Sequence, residues 1–381
     1  VSETNANLSI RLLFLGNPRY DRRLKTFAEH LRLAGHSVEI ICGMDGAVPI
    51  PEAGIGIIPL THTSGPQKFY QYHKLLTAKI LTSTPVDLVI ACDLYSLGAA
   101  ATAKKKGFAK RAIYDSREVY IELPSVAHRP IVRAIWRRFE HRHLTQMDAI
   151  LVTGSYDYQA IFAAHHFIPR GILIRNLPPL IPFVVSSQFR AKHSIANDVI
   201  VFVYVGGLQA GRGIEAFIKA LPLLDAKSKF VIIGDGAERT KLEKLAAPIK
   251  SMVIFTGAVD SEKTLDILGE CDIGISLIEP VSISYQYALP SKVFEYMSAR
   301  LITISSPLVH VQELFGDNEP WLFFAVPENQ VEIVSASERA IAAAKNPNTR
   351  ERARKLFETE LNAEIELEKL DSLINDLFVT T

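Results

Sequence analysis

The chain is poor in cysteine and nearly neutral. Its 381 residues include only Cys42, Cys92 and Cys271. They lie too far apart for a CxxC pair or a Cys/His cluster, which argues against a disulfide framework or a zinc site and makes a reducing, cytoplasmic setting the default. No run approaches the roughly 18 apolar residues of a membrane span, and no basic N-terminal stretch leads into a sustained apolar one, so neither a transmembrane helix nor a signal peptide is expected. Internal repeats and low-complexity tracts are absent. With 48% hydrophobic and 22% charged residues, the composition is that of a folded chain long enough for two domains with full cores. Also missing is a glycine fingerprint after the first apolar strand with an acidic residue about 20 positions on, which argues against a dinucleotide oxidoreductase.

The formal charge of +1 conceals an asymmetry. Residues 1–178 carry 22 Lys+Arg against 14 Asp+Glu, a net +8, and the remainder is −7. A basic half can serve an anionic partner, whether nucleic acid, an acidic membrane or a charged acceptor; a nucleic-acid partner is not expected.

Short apolar runs at 10–15, 38–42, 87–92, 112–114 and 149–152 alternate with amphipathic stretches at 21–34, 95–106 and 130–144. This is the βαβ rhythm of a parallel sheet covered on both faces. The segment NLPPLIPFVVSS at 176–187 has three prolines and no helical period, and reads as a linker. The rhythm restarts with strands at 199–205, 230–233, 252–255, 273–277 and 302–305 and helices near 214–224, 238–245, 262–268 and 291–299. Residues 350–377 read as one long charged helix with an apolar stripe. The expected architecture is therefore α/β, two Rossmann-like doubly wound parallel-sheet domains at 1–180 and 190–349, with a terminal helix at 350–381 and a ligand in the cleft between the domains.

The densest chemistry lies in ALPSKVFEYM, residues 288–297. Pro290 suits a helix start, the free amides there favour an anion, and Lys292 adds a full positive charge. Glu295 falls three residues later on the same face, placed to accept hydrogen bonds from sugar hydroxyls beside a bound phosphate. A surface Lys-Glu pair is the plainer alternative. GGLQAGRG at 206–213 follows an apolar strand and offers Gly206, Gly207 and Arg212 as a second phosphate site. VIIGDG supplies Gly234 at another strand end, although tight turns explain such loops equally well.

The order GGLxxxRG, IIGDG, FTGAV and LPSKVFEYM resembles the donor-binding half of family 4 glycosyltransferases with the GT-B fold, strongly over about 199–310 and more weakly in the first half. The resemblance implies a retaining, metal-independent hexosyltransferase using a nucleotide sugar, with the terminal helix returning to the first domain. It implies that Arg212 binds the diphosphate, that Glu295 binds the ribose, that Gly257 to Val259 meet the base, and that Leu289 and Ser291 lie at the donor. Three departures stand out. Gly207 occupies a place where the family commonly has Arg. Tyr287 stands where a first glutamate would lie eight residues before Glu295. Arg117 replaces a usual His beside the donor sugar.

In the first half, Gly16 and Arg19 follow strand one and are candidates for the donor and acceptor respectively. Asp93, Asp115, Arg117 and Glu118 follow other strand ends, the usual position for functional groups. Arg117 and Glu118 are candidate catalytic groups with Arg212 and Lys292. Asp93 and Asp115 are candidate acceptor ligands, with helix capping as their alternative. Arg129, Arg133 and Arg137 share one stripe of a helix whose other stripe holds Val132, Ile135, Trp136 and Phe139. Such a face can rest on the anionic inner face of a cell membrane or be an ordinary surface helix. No Asp-x-Asp pair occurs, which argues against a metal-dependent transferase, so no cofactor or metal is expected. The acceptor class implied is a glycan or lipid-linked hydroxyl, as in polysaccharide or lipopolysaccharide synthesis. A GT-B epimerase and a catalytically silent nucleotide-sugar-binding partner protein are the competing readings.

Overall fold

The computed structural model describes residues 7–45, 53–182, 188–281 and 283–379. The chain forms two compact units, one of residues 1–176 with 363–381 and the other of residues 177–362.

The first unit is built on seven parallel strands, β1 (Ser9–Leu15), β2 (Ser37–Asp45), β3 (Ile55–Leu60), β4 (Val86–Ala91), β5 (Ala109–Ser116), β6 (Ala149–Val152) and β7 (Arg170–Leu173), in the order β3-β2-β1-β4-β5-β6-β7. The second has six, β8 (Ile200–Val205), β9 (Ser228–Ile233), β10 (Val253–Gly257), β11 (Ile273–Ser276), β12 (Ile302–Ser305) and β13 (Leu322–Phe324), in the order β10-β9-β8-β11-β12-β13. All of these pairings are parallel. Strand order reverses between β1 and β4 and between β8 and β11, and the carboxyl ends flanking such reversals are where open α/β sheets take ligands.

The central strands are buried on both faces, which is why Leu12, Leu13, Ile90, Ile113, Val203 and Phe230 read as continuous apolar runs rather than as alternation. The edge strands β3, β7 and β13 were not anticipated. They are only six, four and three residues long, and β3 contains Gly56 and Pro59, so their periodicity is weak. Part of the proposed linker, residues 183–187, lies outside the described residues. Within its described part, Leu177 is buried in the core of the second unit.

The single terminal helix expected over 350–377 is instead two. Helix Pro347–Glu360 belongs to the second unit, where it packs on helix Ser291–Ser298, and helix Ala363–Val379 belongs to the first. The break falls at Leu361–Asn362, where the Asn362 side-chain amide donates to the carbonyls of Phe357 and Glu358 and so caps the first helix. The apolar stripe was correctly read but is divided: Phe357 and Leu361 enter the second unit's core, whereas Leu367, Leu370, Leu373 and Ile374 pack with Leu24, Phe27 and Ile90 in the first. The last helix is acidic and is held by basic groups of that unit. Asp371 pairs with His30 and Asp376 with Arg170, while Arg111 donates to the carbonyl of Leu377. Counting this helix, the first unit has 23 Lys+Arg against 19 Asp+Glu, so its charge is +4 rather than the +8 of the first half.

Leu373 is 0% exposed, so Leu373→Ala should destabilise the first unit by about 2–5 kcal/mol, read as a lower denaturant midpoint. A shift corresponding to less than roughly 0.5 kcal/mol would mean the helix is not part of that core. Among the described residues, no helix is long and apolar enough to cross a membrane.

Candidate functional site

The second unit gathers glycine turns at the carboxyl ends of three adjacent strands. The Gly206 amide, after β8, donates to the Ile233 carbonyl, and the Gly234 amide, after β9, donates to the Gly257 carbonyl at the end of β10, both at 2.9 Å. Gly206 and Gly234 have φ of 131° and 137°, which side-chain-bearing residues rarely adopt. A Cβ on Gly234 would stand 2.0 Å from the Gly206 carbonyl oxygen, and one on Gly206 would stand 3.2 Å from Lys292 Nζ. Their missing side chains let the turns stack and let the lysine reach the first of them.

Lys292 lies in the first turn of helix Ser291–Ser298, with Pro290 as N-cap at φ −67°. The first amides of such a helix have no intrahelical carbonyl to bond and sit at its positive dipole end. Lys292 Nζ lies over the Tyr204 ring, 5.3 Å from its centroid, and Tyr204 Oη donates to the Gly207 carbonyl at 2.9 Å. The Arg212 guanidinium lies over the Tyr285 ring at 5.2 Å. Burial first, then the charge of Glu295 and the nearby Tyr285, push the Tyr204 phenol up to about 12 against the opposing influence of Arg212. Arg212, Lys292 and Glu295 are thus grouped around Tyr204. Glu295 is only 6% exposed, and Ser291 Oγ donates to its Oε1 at 3.1 Å, so the serine orients the carboxylate.

Tyr204 and Tyr285 were missed in the sequence. Tyr204 sits inside an apolar strand where its phenol reads as core, and the Tyr285 stacking depends on the fold. Glu279 was missed too. Its amide donates to the Gly211 carbonyl at 3.0 Å, and burial, followed by Glu328 and Glu215, raises its carboxyl above the usual range. The remaining candidates have more local roles. Gly207 is exposed, Val259 and Leu289 pack against cores, and the Tyr287 ring meets His310 at 5.7 Å. Among the described residues, no group of three or more His, Cys, Asp or Glu is arranged to hold a metal ion.

In the first unit, two expected acceptor ligands are closed to a ligand. Asp115 is 0% exposed; it receives Arg23 Nη2 at 2.7 Å and Arg117 Nε at 3.0 Å. Burial works against its charge, but the two guanidinium groups hold its carboxyl below the ordinary range. Asp93 is 4% exposed; it caps helix Leu94–Lys105 through Ser96 N–H and also accepts from Leu15 N–H. Burial raises its carboxyl despite those bonds. Both residues organise strand ends.

Arg117 reaches further, its Nη1 donating to Asp21 at 2.5 Å. Burial opposes its charge, but Asp115 and Asp21 raise its pKa above the usual value. Its Nη2 is buried without a hydrogen-bond partner among the described residues. Glu118 is exposed next to it, and its carbonyl accepts from Ser116 Oγ. Gly16 and Arg19 lie on the turn after β1, where the Gly16 amide donates to the Gly43 carbonyl and Arg19 is exposed.

Residues 199–343 match the family model for glycosyl transferases group 1. An alpha-D-kanosaminyltransferase of Streptomyces kanamyceticus is 28% identical over 173 residues, covering 44% of this chain and 42% of that protein. The curated relatives matched are spanned over only 36%, 42% and 31% of their lengths. Among solved structures, a sucrose-phosphate synthase from Thermosynechococcus elongatus superposes with a TM-score of 0.79 at 18% identity, over 98% of this chain and all of that one. The Anabaena protein HepE in complex with UDP gives 0.72 at 14% identity, over 96% of this chain and 100% of that one. The two all-parallel α/β units share the fold of GT-B glycosyltransferase structures, and the cation-lined glycine cradle lies inside residues 199–343, the segment that is similar to the glycosyl transferases of group 1.

Proposed function

We propose that the protein is a retaining, metal-independent hexosyltransferase that moves a sugar from a nucleoside-diphosphate sugar to a hydroxyl of a glycan or lipid-linked acceptor in the cytoplasm. One observation carries this reading: Arg212, Lys292 and the buried carboxylate of Glu295 cluster around Tyr204, beside stacked glycine turns at the carboxyl ends of β8, β9 and β10. The turns admit a ligand close to the backbone, the two cations suit a diphosphate, and Glu295 suits ribose hydroxyls. The Anabaena neighbour bound to UDP, and to UDP with glucose, supports a nucleotide sugar as donor.

As the bond to the anomeric carbon breaks, negative charge grows on the β-phosphate. Arg212, Lys292 and the amides at the start of helix Ser291–Ser298 then stabilise the transition state more than the ground state. The departing phosphate oxygen accepts the proton of the attacking hydroxyl, so no separate base is required.

The test is a panel of nucleotide sugars incubated with EDTA, with products followed by NMR. Transfer or slow hydrolysis that persists in EDTA, with the donor's anomeric configuration retained, is expected. Activity lost in EDTA and restored by magnesium or manganese would overturn metal independence. Isomerised donor without acceptor would indicate an epimerase, and binding without any turnover would indicate the silent partner protein, a reading to which Tyr287 in place of a glutamate gives some basis.

A further inference from the structure

The first unit also carries a concave site whose lining includes none of the strand-end residues above. It is a groove of about 670 Å3 between helices Pro130–Leu144 and Ser155–His165, within the ~300–1,000 Å3 range of small-ligand sites. Ala160 and Ala164, one turn apart, and Ala163 beside them line one wall, and Ala134 lines the other. Methyl groups in place of larger side chains make the hollow.

The groove is held open at both ends. Tyr156 Oη donates to Glu122 at 2.8 Å near its entrance. At the far end Glu140 joins the two helices, taking His165 Nε2 at 3.0 Å with one oxygen and Tyr114 Oη at 3.0 Å with the other. Buried hydrogen bonds to one carboxyl group fix the helix spacing more firmly than apolar contact alone.

Arg133 and Arg137 stand on the rim, one turn apart. Glu122 is engaged by Tyr156 and lies 3.8 Å from Arg133, while Arg137 forms no ion pair among the described residues. Ile131 and Ile135, on the adjoining strip of the same helix, are 76% and 62% exposed, so the apolar surface continues past the rim.

We propose that this groove seats the alkyl chain of a single anionic amphiphile, with its phosphate or carboxylate head on Arg137 and Arg133. A groove that sets an alanine wall beside polar groups, with Gln159 and Tyr156 along it and the guanidinium groups of Arg133 and Arg137 at its rim, is complementary to a chain with a charged head, whereas a sugar would leave the alanine wall unmatched. Identification of the amphiphile as the transferase's acceptor rests on the proposed function; the binding site itself does not.

The experiment is calorimetric titration of the full chain with dodecyl phosphate below its micellar concentration, with inorganic phosphate and dodecyl maltoside as controls. Dodecyl phosphate should bind at one site and both controls at least about tenfold more weakly, since each lacks either the chain or the charge-assisted contact. Ala160→Leu with Ala164→Leu, which keeps strong helix formers and fills the trough, should abolish binding. Arg133→Gln with Arg137→Gln should weaken it by about tenfold. No dodecyl phosphate binding, or equal binding by the wild type and both variants, would overturn the groove. The same preparations titrated with UDP separate the two claims. Loss of dodecyl phosphate binding with UDP binding unchanged is the expected signature of the variants. A wild type that binds dodecyl phosphate but neither binds nor turns over any nucleotide sugar would leave the groove standing and defeat the transferase reading.

Discussion

Replacing Lys292 with Met, which keeps an aliphatic stem against the Tyr204 ring but removes the charge, is expected to weaken nucleoside-diphosphate binding by about 10- to 150-fold. That is the equivalent of losing one charged hydrogen bond worth roughly 1.5–3 kcal/mol. The fold should survive, because Lys292 is only half-buried and its stacked contact with Tyr204 is a modest contribution. Arg212→Ala should have an effect of similar size. If the two cations act on the same diphosphate, the double variant should lose less than the sum of the two, because neighbouring charges that share a ligand couple. Turnover should fall at least as much as affinity, since both charges gain most as the leaving group becomes more negative. Unchanged affinity and turnover in both single variants would reduce the helix start to an ordinary surface feature.

Asp115→Ala is expected to cost about 3–5 kcal/mol of stability, because it strands the buried Arg23 guanidinium without its carboxylate. Arg23 also donates to the carbonyls of Ile174 and Arg175, so the network ties helix Arg22–Leu33 and the end of β5 to the segment after β7. The effect should depend on pH in a definite direction. The folded-state pKa of Asp115 lies below its unfolded value, so its contribution is complete above the unfolded value of about 3.9 and is lost as the pH falls through the folded one. Wild-type and variant denaturation midpoints should therefore differ fully at neutral pH and converge under acid conditions below about pH 4. A variant as stable as the wild type at pH 7, with only its acceptor kinetics changed, would restore Asp115 as a ligand-binding residue.

What could be read from the sequence follows from where the physics is local. The central strands announced themselves because double burial demands unbroken apolar runs, and ALPSKVFEYM announced a helix start because Pro290, Lys292 and Glu295 bear on one turn. The edge strands β3, β7 and β13 did not, being short and weakly patterned. The terminal helix was read as one because its apolar stripe runs through Leu361 almost without a gap; the stop comes from Asn362 capping and from packing against two different cores. Asp93 and Asp115 were candidate ligands because strand ends so often carry them; Asp93 is the helix cap that was its alternative reading, whereas the ion partner of Asp115 is Arg23, 92 residues away, a pairing no local pattern reveals. Tyr204 and Tyr285 were invisible for the same reason. Their rings lie against Arg212 and Lys292, and that depends on which strand and loop the fold sets side by side.

The most direct test of the central claim is calorimetric titration of the full chain, in EDTA, with UDP, GDP, ADP and TDP. The account predicts saturable binding of at least one nucleoside diphosphate at a single site, weakened by about tenfold or more in Lys292→Met and in Arg212→Ala and unchanged when Arg133 and Arg137 are replaced by Gln. Failure of all four to bind, or binding that is indifferent to both Lys292 and Arg212, would contradict it.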